Sequence, residues 1–305
     1  MNFAGTIGFF DGVHRGHQYL LRQLRQTAEA LGLQPVVYTF SEHPRKVLKA
    51  GFQPKLLTTL MEKRSLIAEA GIPNCRVLDF TPEMARLSAA KFMEQVLRPE
   101  GVRCLLMGYD HRFGADGADF DTCKQAGETM GIRVTLAERW APDGTAASSS
   151  RIRKLLNEGD VQNAANALGR PYSLAGIVVE GRHVGCRLGF PTANLSPESP
   201  EKLVPAHGAY AVKVEVGGRI MGGMTNVGTR PTLDNGTDVS IETHVFGLQG
   251  SLYGQPMRLH FLGRMRPERH FDSLDALRHQ LTADTQQAQH ILKDYPISHE
   301  STPKA

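Results

Sequence analysis

Gly8-Phe9-Phe10-Asp11-Gly12-Val13-His14-Arg15-Gly16-His17 reads as a turn between an apolar strand, Ala4–Phe9, and a helix, Gly16–Leu31. Leu20, Leu21, Leu24, Ala28 and Leu31 recur at helical spacing, and Gly32 stops the helix. In open α/β sheets ligands bind beyond the carboxyl ends of the strands. A helix start adds free N–H groups and a positive dipole end, which suits phosphate. His14 and His17 bracket Gly16, so two imidazoles and a bare backbone can face one phosphate. The chemistry that fits is attack on the α-phosphorus of ATP, where a protein mainly supplies position and charge stabilisation.

Outward from this turn, strand and helix patterns alternate. Pro35–Phe40, Arg76–Phe80, Val102–Met107 and Ile132–Ala137 read as strands. Met61–Ala70, Ala89–Val96, a segment closed by Gly127–Gly131, and Ser150–Asn157 read as helices. The alternation predicts an α/β domain: a parallel sheet with helices on both faces. After a helical stretch, Asp160–Leu168, Gly169-Arg170-Pro171 breaks the pattern. Ile177–Glu180, Ala209–Val216, Ile220–Thr225, Ser240–Val245 and Met257–Leu262 are then short strands, with Gly217-Gly218 a hairpin signal. They predict a small barrel or sandwich, followed by a C-terminal helix, Ser273–Leu292. The expected organisation is an α/β domain at 1–158, a linker at 159–172, a small β domain at 173–297 and a disordered tail at 298–305.

Composition narrows the function classes. The 305 residues suit about two domains, and a formal net charge of +4 without dense Lys/Arg runs does not mark a nucleic-acid binder. No stretch approaches the ~18 apolar residues that span a membrane, and Met1-Asn2-Phe3 lacks the basic start of a signal peptide. Cys75, Cys104, Cys123 and Cys186 form no CxxC pair and no zinc spacing, which fits reduced thiols in a cytoplasmic protein. The expected partners are small molecules. The sequence carries no signal for oligomeric state.

A second glycine pattern lies in the other half, from Gly181-Arg182-His183-Val184-Gly185 through Gly189-Phe190-Pro191-Thr192-Ala193-Asn194. Gly181, Gly185 and Gly189 permit close approach of nucleotide phosphates. Thr192 and Asn194 are hard oxygen ligands suited to a Mg²⁺ ion held largely by phosphates and water. No GK[ST] follows, so this is not a Walker loop. A plain β-turn also accounts for the glycines taken alone, as an ordinary helix cap does for Ser148-Ser149-Ser150.

HxGH is the hallmark of the nucleotidyltransferase superfamily, and GFFDGVHRGHQ resembles the adenylyltransferase module of bacterial bifunctional riboflavin kinase/FAD synthetases. Thr39-Phe40 with His43-Pro44, Gly108–Gly114, and Ser148–Arg153 are similar to that family's TF…HP, GxDFxFG and SSTxIR segments. Gly181–Asn194 resembles its riboflavin kinase signature, GxxxGRxLGFPTAN. Gly208-Ala209-Tyr210-Ala211, Asn226–Thr232, Ile241–His244, Leu252-Tyr253-Gly254 and Arg266-Pro267-Glu268 match further kinase motifs.

The resemblance implies a Rossmann-like nucleotidyltransferase domain joined to a small β-barrel kinase domain. The chain would phosphorylate riboflavin to FMN, then adenylylate FMN to FAD, using ATP and Mg²⁺. His14 and His17 would stabilise the transferring α-phosphate. Gly8, Phe10, Asp11, Gly12, Gly16, Ser149, Ser150 and Arg153 would hold the nucleotide. His43, Pro44, Asp110 and Phe113 would line the first flavin site. In the kinase half, Gly181, Gly185 and Gly189 would bind nucleotide, with Thr192 and Asn194 on Mg²⁺ and ATP phosphates. Asn226 and Arg230 would contact flavin, and Glu242 would be the general base for the riboflavin 5′-hydroxyl.

This chain departs from the family pattern at a few positions. His111 replaces Phe, Cys186 stands where Arg is usual, and Gly247, Gln249 and Ser251 occupy sites where acidic residues are common. Two other readings share these motifs: one module alone is active, or the fold serves a non-enzymatic flavin or nucleotide sensor.

Overall fold

A computed structural model describes residues 1–44, 46, 54–109, 112–140, 147–181, 188–231, 237–248 and 250–295; the side chains of 230, 231, 237 and 238 are outside that description. The chain divides into two compact units, Met1–Ser149 and Ser150–Ala305.

In the first unit β1 (Phe3–Ile7), β2 (Gln34–Phe40), β3 (Cys75–Leu78), β4 (Val102–Met107) and β5 (Arg133–Leu136) form one parallel sheet in the order β3-β2-β1-β4-β5. The order reverses at β1, so the crevice at its carboxyl end is the topological switch point. Helices cover both faces, as the alternating pattern predicts. On one face α1 (Arg15–Ala30) and α2 (Leu60–Glu69) bury Leu21, Leu24, Ala28 and Ile67 against Ala4, Val37, Cys104 and Leu106. On the other face lie α3 (Pro82–Ala85), α4 (Ala89–Phe92), which runs on as a π-turn at Met93–Leu97, and α5 (Phe120–Met130). They enclose Phe92, Met93, Leu97 and Cys123 against Phe3, Val36, Tyr38 and Leu105. Successive residues of each strand point to opposite faces, which is why Phe3 and Ala4 belong to different cores.

The second unit starts with α6 (Ser149–Glu158), whose first residue still belongs to the first unit, and α7 (Val161–Leu168). The stretch 159–172 is largely helical, as expected for Asp160–Leu168, and α7 buries Val161, Ala164 and Leu168; just before it Leu156 O accepts from Ala206 N at 2.9 Å, and Glu158 O accepts from Arg264 Nη1 at 3.1 Å. The strands β6 (Tyr172–Val179), β7 (Ala193–Pro197), β8 (Gly208–Val216), β9 (Arg219–Pro231), β10 (Thr237–Val245) and β11 (Pro256–Arg266) close into an antiparallel barrel ordered β10-β7-β6-β11-β8-β9. Closure leaves no free sheet edge. Tyr172, Tyr210 and Phe261 are fully buried. The C-terminal helix α8 (Leu274–Lys293) packs Ala288, Leu281 and Ile291 on Ala211 and Met224.

Several strands differ from the sequence expectation: β6 starts at Tyr172 rather than Ile177, β10 at Thr237 rather than Ser240, and β11 runs to Arg266 rather than Leu262. β7 went unread, because Ala-Asn-Leu-Ser-Pro is too short and polar to show a strand period. β9 runs on from the expected Thr225 to Pro231, held by a continuous ladder with β10.

Candidate active sites

The first site is the turn from β1 into α1. Gly8 N donates to Tyr38 O at 3.0 Å, and Asp11–Val13 then forms a 3₁₀ turn. Phe10 (φ 54°) and Val13 (φ 38°) take left-handed backbone conformations without being glycine. Such residues cost about 1–3 kcal/mol each and persist where surroundings over-determine them. Here the surroundings are visible. Phe10 and Val13 are buried, and Gln18 Nε2 donates to Val13 O at 2.8 Å. The Asp11 carboxylate accepts from Leu57 N and Thr58 N, both at 3.0 Å, and from the Thr58 hydroxyl at 3.2 Å. Thr58 Oγ1 in turn accepts from Gly12 N at 3.0 Å. Asp11, expected at the nucleotide, is 3% exposed and shapes the turn from beneath.

His14 caps α1: its Nδ1 accepts from His17 N at 3.3 Å. A neutral His14 therefore carries its proton on Nε2. The two rings stack at 3.7 Å and 17°. A Cβ on Gly16 would stand 3.2 Å from two atoms of the His14 ring, so the glycine also lets that ring lie over the helix start. His17 keeps a half-exposed ring, but its Nδ1 is buried with no hydrogen-bond partner among the described residues. Burial, then His14, then Lys63 hold its pKa well below 6.5, so His17 is neutral at pH 7.

The neighbouring predicted residues gather only in part. Ser149, the last residue of the first unit, donates its Oγ–H to Asp11 O at 2.9 Å. Ser150 is exposed and Arg153 half-buried one turn along the same helix. The His43 ring lies 4.5 Å from Phe9, with Pro44 following it half-buried. Phe113, expected at flavin, sits in the core edge-on to Phe92 at 5.3 Å. Asp110 and His111 lie outside the described residues.

The second site is a row across the barrel. Glu242 on β10 pairs with Asn194 on β7 and with Asn226 on β9. Asn226 pairs with Ala209 on β8, which pairs with Arg266 on β11. Directly paired residues leave a sheet on the same face. Ile241, Thr243 and Val245 point into the barrel, while Glu242, His244 and Phe246 point outward. α8 covers that outer face incompletely. A cavity of about 260 Å³ remains, lined among others by Thr192, Asn226, Glu242, His244 and Arg266. A second cavity of about 260 Å³ is also lined by Thr192, with Leu248, Ser251 and Tyr253. A wider concavity of about 990 Å³ at the Gly217-Gly218 hairpin is lined by none of the predicted residues.

Supporting contacts fix this row. Asn194 is 5% exposed, and a Cβ on Gly181 would fall 2.0 Å from its Nδ2. His244 Nδ1 lies 2.8 Å from Pro191 O and so donates to it, holding the segment that carries Thr192. The His244 ring stands edge-on to Phe190 and Phe246. Arg266 grips Asp284 of α8 at 2.8 and 3.1 Å, and Gln280 donates to the same carboxylate at 2.7 Å. Gly189 lies in an exposed turn at φ 84°. Gly185, Cys186 and Gln249 fall outside the described residues, as does the Arg230 side chain.

The structure adds Thr58, Lys63 and Asp284, which sequence reasoning passed over, and gives contacts to His244 and Arg266, which it had read only as parts of motif matches. Only the Thr59-x-x-Glu62 capping box that seats α2 left a local signal near Lys63. Among the described residues, no three His, Cys, Asp or Glu side chains cluster as metal ligands, and no helix is long and apolar enough to cross a membrane.

Fold and sites together define the class: an enzyme with one nucleotidyltransferase module and one riboflavin kinase module in a single chain. Residues 2–151 match the FAD synthetase family and residues 168–292 the riboflavin kinase family. The chain is 35% identical to the bifunctional riboflavin kinase/FMN adenylyltransferase of Pseudomonas fluorescens, over 92% of this chain and 90% of that one. The Bacillus subtilis (strain 168) protein of the same name is also 35% identical, over 93% and 90%. A crystal structure of a macrolide-efflux protein from Streptococcus pneumoniae superposes with a TM-score of 0.88 at 30% identity, covering 94% of each chain. This chain belongs to the bifunctional riboflavin kinase/FMN adenylyltransferase family.

Proposed function

We infer that the chain makes FAD in two steps, with riboflavin phosphorylated in a kinase module at 173–297 and FMN adenylylated in a module at 1–158. The observation that carries the reading is the coexistence of the stacked His14–His17 turn and the Asn194–Glu242–Asn226 row, one in each unit.

In the kinase step, Glu242 takes the proton of the riboflavin 5′-hydroxyl as that oxygen attacks the γ-phosphorus of ATP, and ADP leaves. Thr192 borders both small cavities, which suits a residue between flavin and nucleotide. Asn226 is paired beside Glu242 and contacts the flavin; Arg230 lies further along β9. Thr192 and Asn194 are neutral oxygen donors, as Mg²⁺ favours when phosphates supply the negative charge. The tight fit of Asn194 against Gly181 holds one such donor in place. Bound Mg²⁺ would offset the charge of the ATP phosphates.

In the adenylyl step, an FMN phosphate oxygen attacks the α-phosphorus of ATP and pyrophosphate leaves. The attacking group is already an anion, so no general base is required. That matches a site whose His17 is neutral and whose His14 directs Nε2–H away from the helix. Both act as hydrogen-bond donors to charge that builds on the α-phosphate. Ser149, Ser150 and Arg153 hold the departing pyrophosphate. The described cysteines, Cys75, Cys104 and Cys123, are free thiols, which supports a cytoplasmic setting.

The test is purified chain with riboflavin, ATP and Mg²⁺, with products resolved by chromatography. FMN followed by FAD is the expected result. FMN without FAD sinks the adenylyl step. Conversion of supplied FMN without conversion of riboflavin sinks the kinase step, and binding without turnover leaves a sensor.

A further inference from the structure

Lys63 is a charged residue with no role in the chemistry above, yet only 2% of it is exposed. Its ammonium donates to Phe9 O at 2.9 Å and to Phe40 O at 3.2 Å, and it lies 4.0 Å over the Phe9 ring. Phe9 directly precedes the strained turn, and Phe40 is the last residue of β2. One buried cation thus joins the ends of two adjacent parallel strands at the edge where ligands bind. Phe9 O also accepts from the Thr39 hydroxyl at 3.2 Å, so this carbonyl is held from two directions. The helix bearing Lys63 is itself pinned by the Thr59–Glu62 capping box, and Lys63 N donates to Thr59 O at 2.9 Å.

An ammonium is costly to bury, and a neutral side chain would fill the same space more cheaply. Retaining the charge makes sense where a fixed positive field is useful. We propose that Lys63 is a positioning residue for adenylyl transfer: it locks the ends of β1 and β2 beneath the histidine turn and sets a buried positive charge behind it. The proposal rests on the adenylyltransferase reading of that turn.

The groups facing Lys63 come from each surrounding element. Burial lowers its pKa to about 8, opposed by Asp11 from the 3₁₀ turn and Cys75 from β3. Arg64, next along α2, acts on Cys75 in its turn. His17, from α1, feels Lys63 as one cause of its own lowered pKa. The sign follows directly. As pH rises through about 8, Lys63 loses its proton, the field behind the turn weakens, and adenylyl transfer slows.

The experiment compares full-length wild type, Lys63→Met and Lys63→Arg. It reads FAD formation from FMN, riboflavin phosphorylation by the same chains, circular dichroism, and the His17 titration by NMR, assigned with His17→Gln. In Lys63→Met, kcat for FAD formation should fall about 10²-fold, the scale of a mispositioned site. Riboflavin phosphorylation and the dichroism spectrum should stay unchanged, and the His17 midpoint should move up while staying below 6.5, because burial and His14 lower it more than Lys63 does. In Lys63→Arg, whose charge does not titrate, the alkaline fall near pH 8 should disappear. An unchanged kcat and an unmoved His17 midpoint in Lys63→Met overturn the proposal. So does loss of the folded spectrum in both variants, which makes Lys63 a folding residue. The His17 shift is read without turnover. A wild type that makes no FAD therefore sinks the parent reading, and the midpoint still decides the Lys63 link.

Discussion

Glu242 and Asn194 face each other directly across the β10–β7 ladder, so an acidic side chain and a buried amide share one face of the barrel. The pairing places the proposed base beside a proposed metal ligand. Glu242→Gln keeps the shape and removes the base. FMN formation should fall about 10²–10⁴-fold, while FAD formation from supplied FMN stays intact. Equal loss of both activities would contradict two separate sites.

Gly181→Ala tests the support of Asn194. The added carbon would lie 2.0 Å from the Asn194 amide nitrogen, so that amide must move. Riboflavin phosphorylation should weaken and need more Mg²⁺ for half-maximal rate. A magnesium titration of FMN formation at saturating riboflavin reads the shift. An unchanged midpoint would remove Asn194 from the metal site.

His17 carries a stability prediction with a definite sign. Its folded pKa lies below the unfolded value, so the unfolded chain binds a proton first as pH falls. Stability is full above ~6.5, declines as pH drops below it, and levels off below the folded pKa. His17→Gln should flatten this decline in denaturant titrations at several pH values, and should also lower FAD formation while sparing FMN formation. A decline of equal slope in the variant would show that other groups cause it.

Asp284 is 2% exposed and receives Arg266 in a two-point grip beside the kinase cavity. Asp284→Asn leaves the partly buried guanidinium without its counter-charge. The barrel should lose about 3 kcal/mol, the low end for breaking a buried pair. The KM for riboflavin should rise, because this pair seats α8 over the cavity. Thermal unfolding and initial rates measure the two effects independently.

Much of this was legible locally. β4 spans Val102–Met107 as its apolar run predicts, and α1 is displaced by one residue from its periodic stretch. The histidine turn is a contiguous string whose place between strand and helix points to phosphate chemistry, whereas the glycine-rich stretch gains that meaning only with the motifs around it. Other features leave no local trace. Lys63 reads as a solvated helix residue until Phe9 and Phe40 are folded over it. β7 acquires its strand conformation from its neighbours β6 and β10.

The sequence by itself determined most of the order of elements, β7 excepted, and the chemistry each motif suggests, because these depend on side chains within a turn or two of one another. The tertiary structure decided which of those side chains meet. The register that aligns Asn194, Glu242 and Asn226 is a property of paired strands, and the burial that keeps His17 neutral belongs to a packed interior. Both arise only when distant segments displace water from one another.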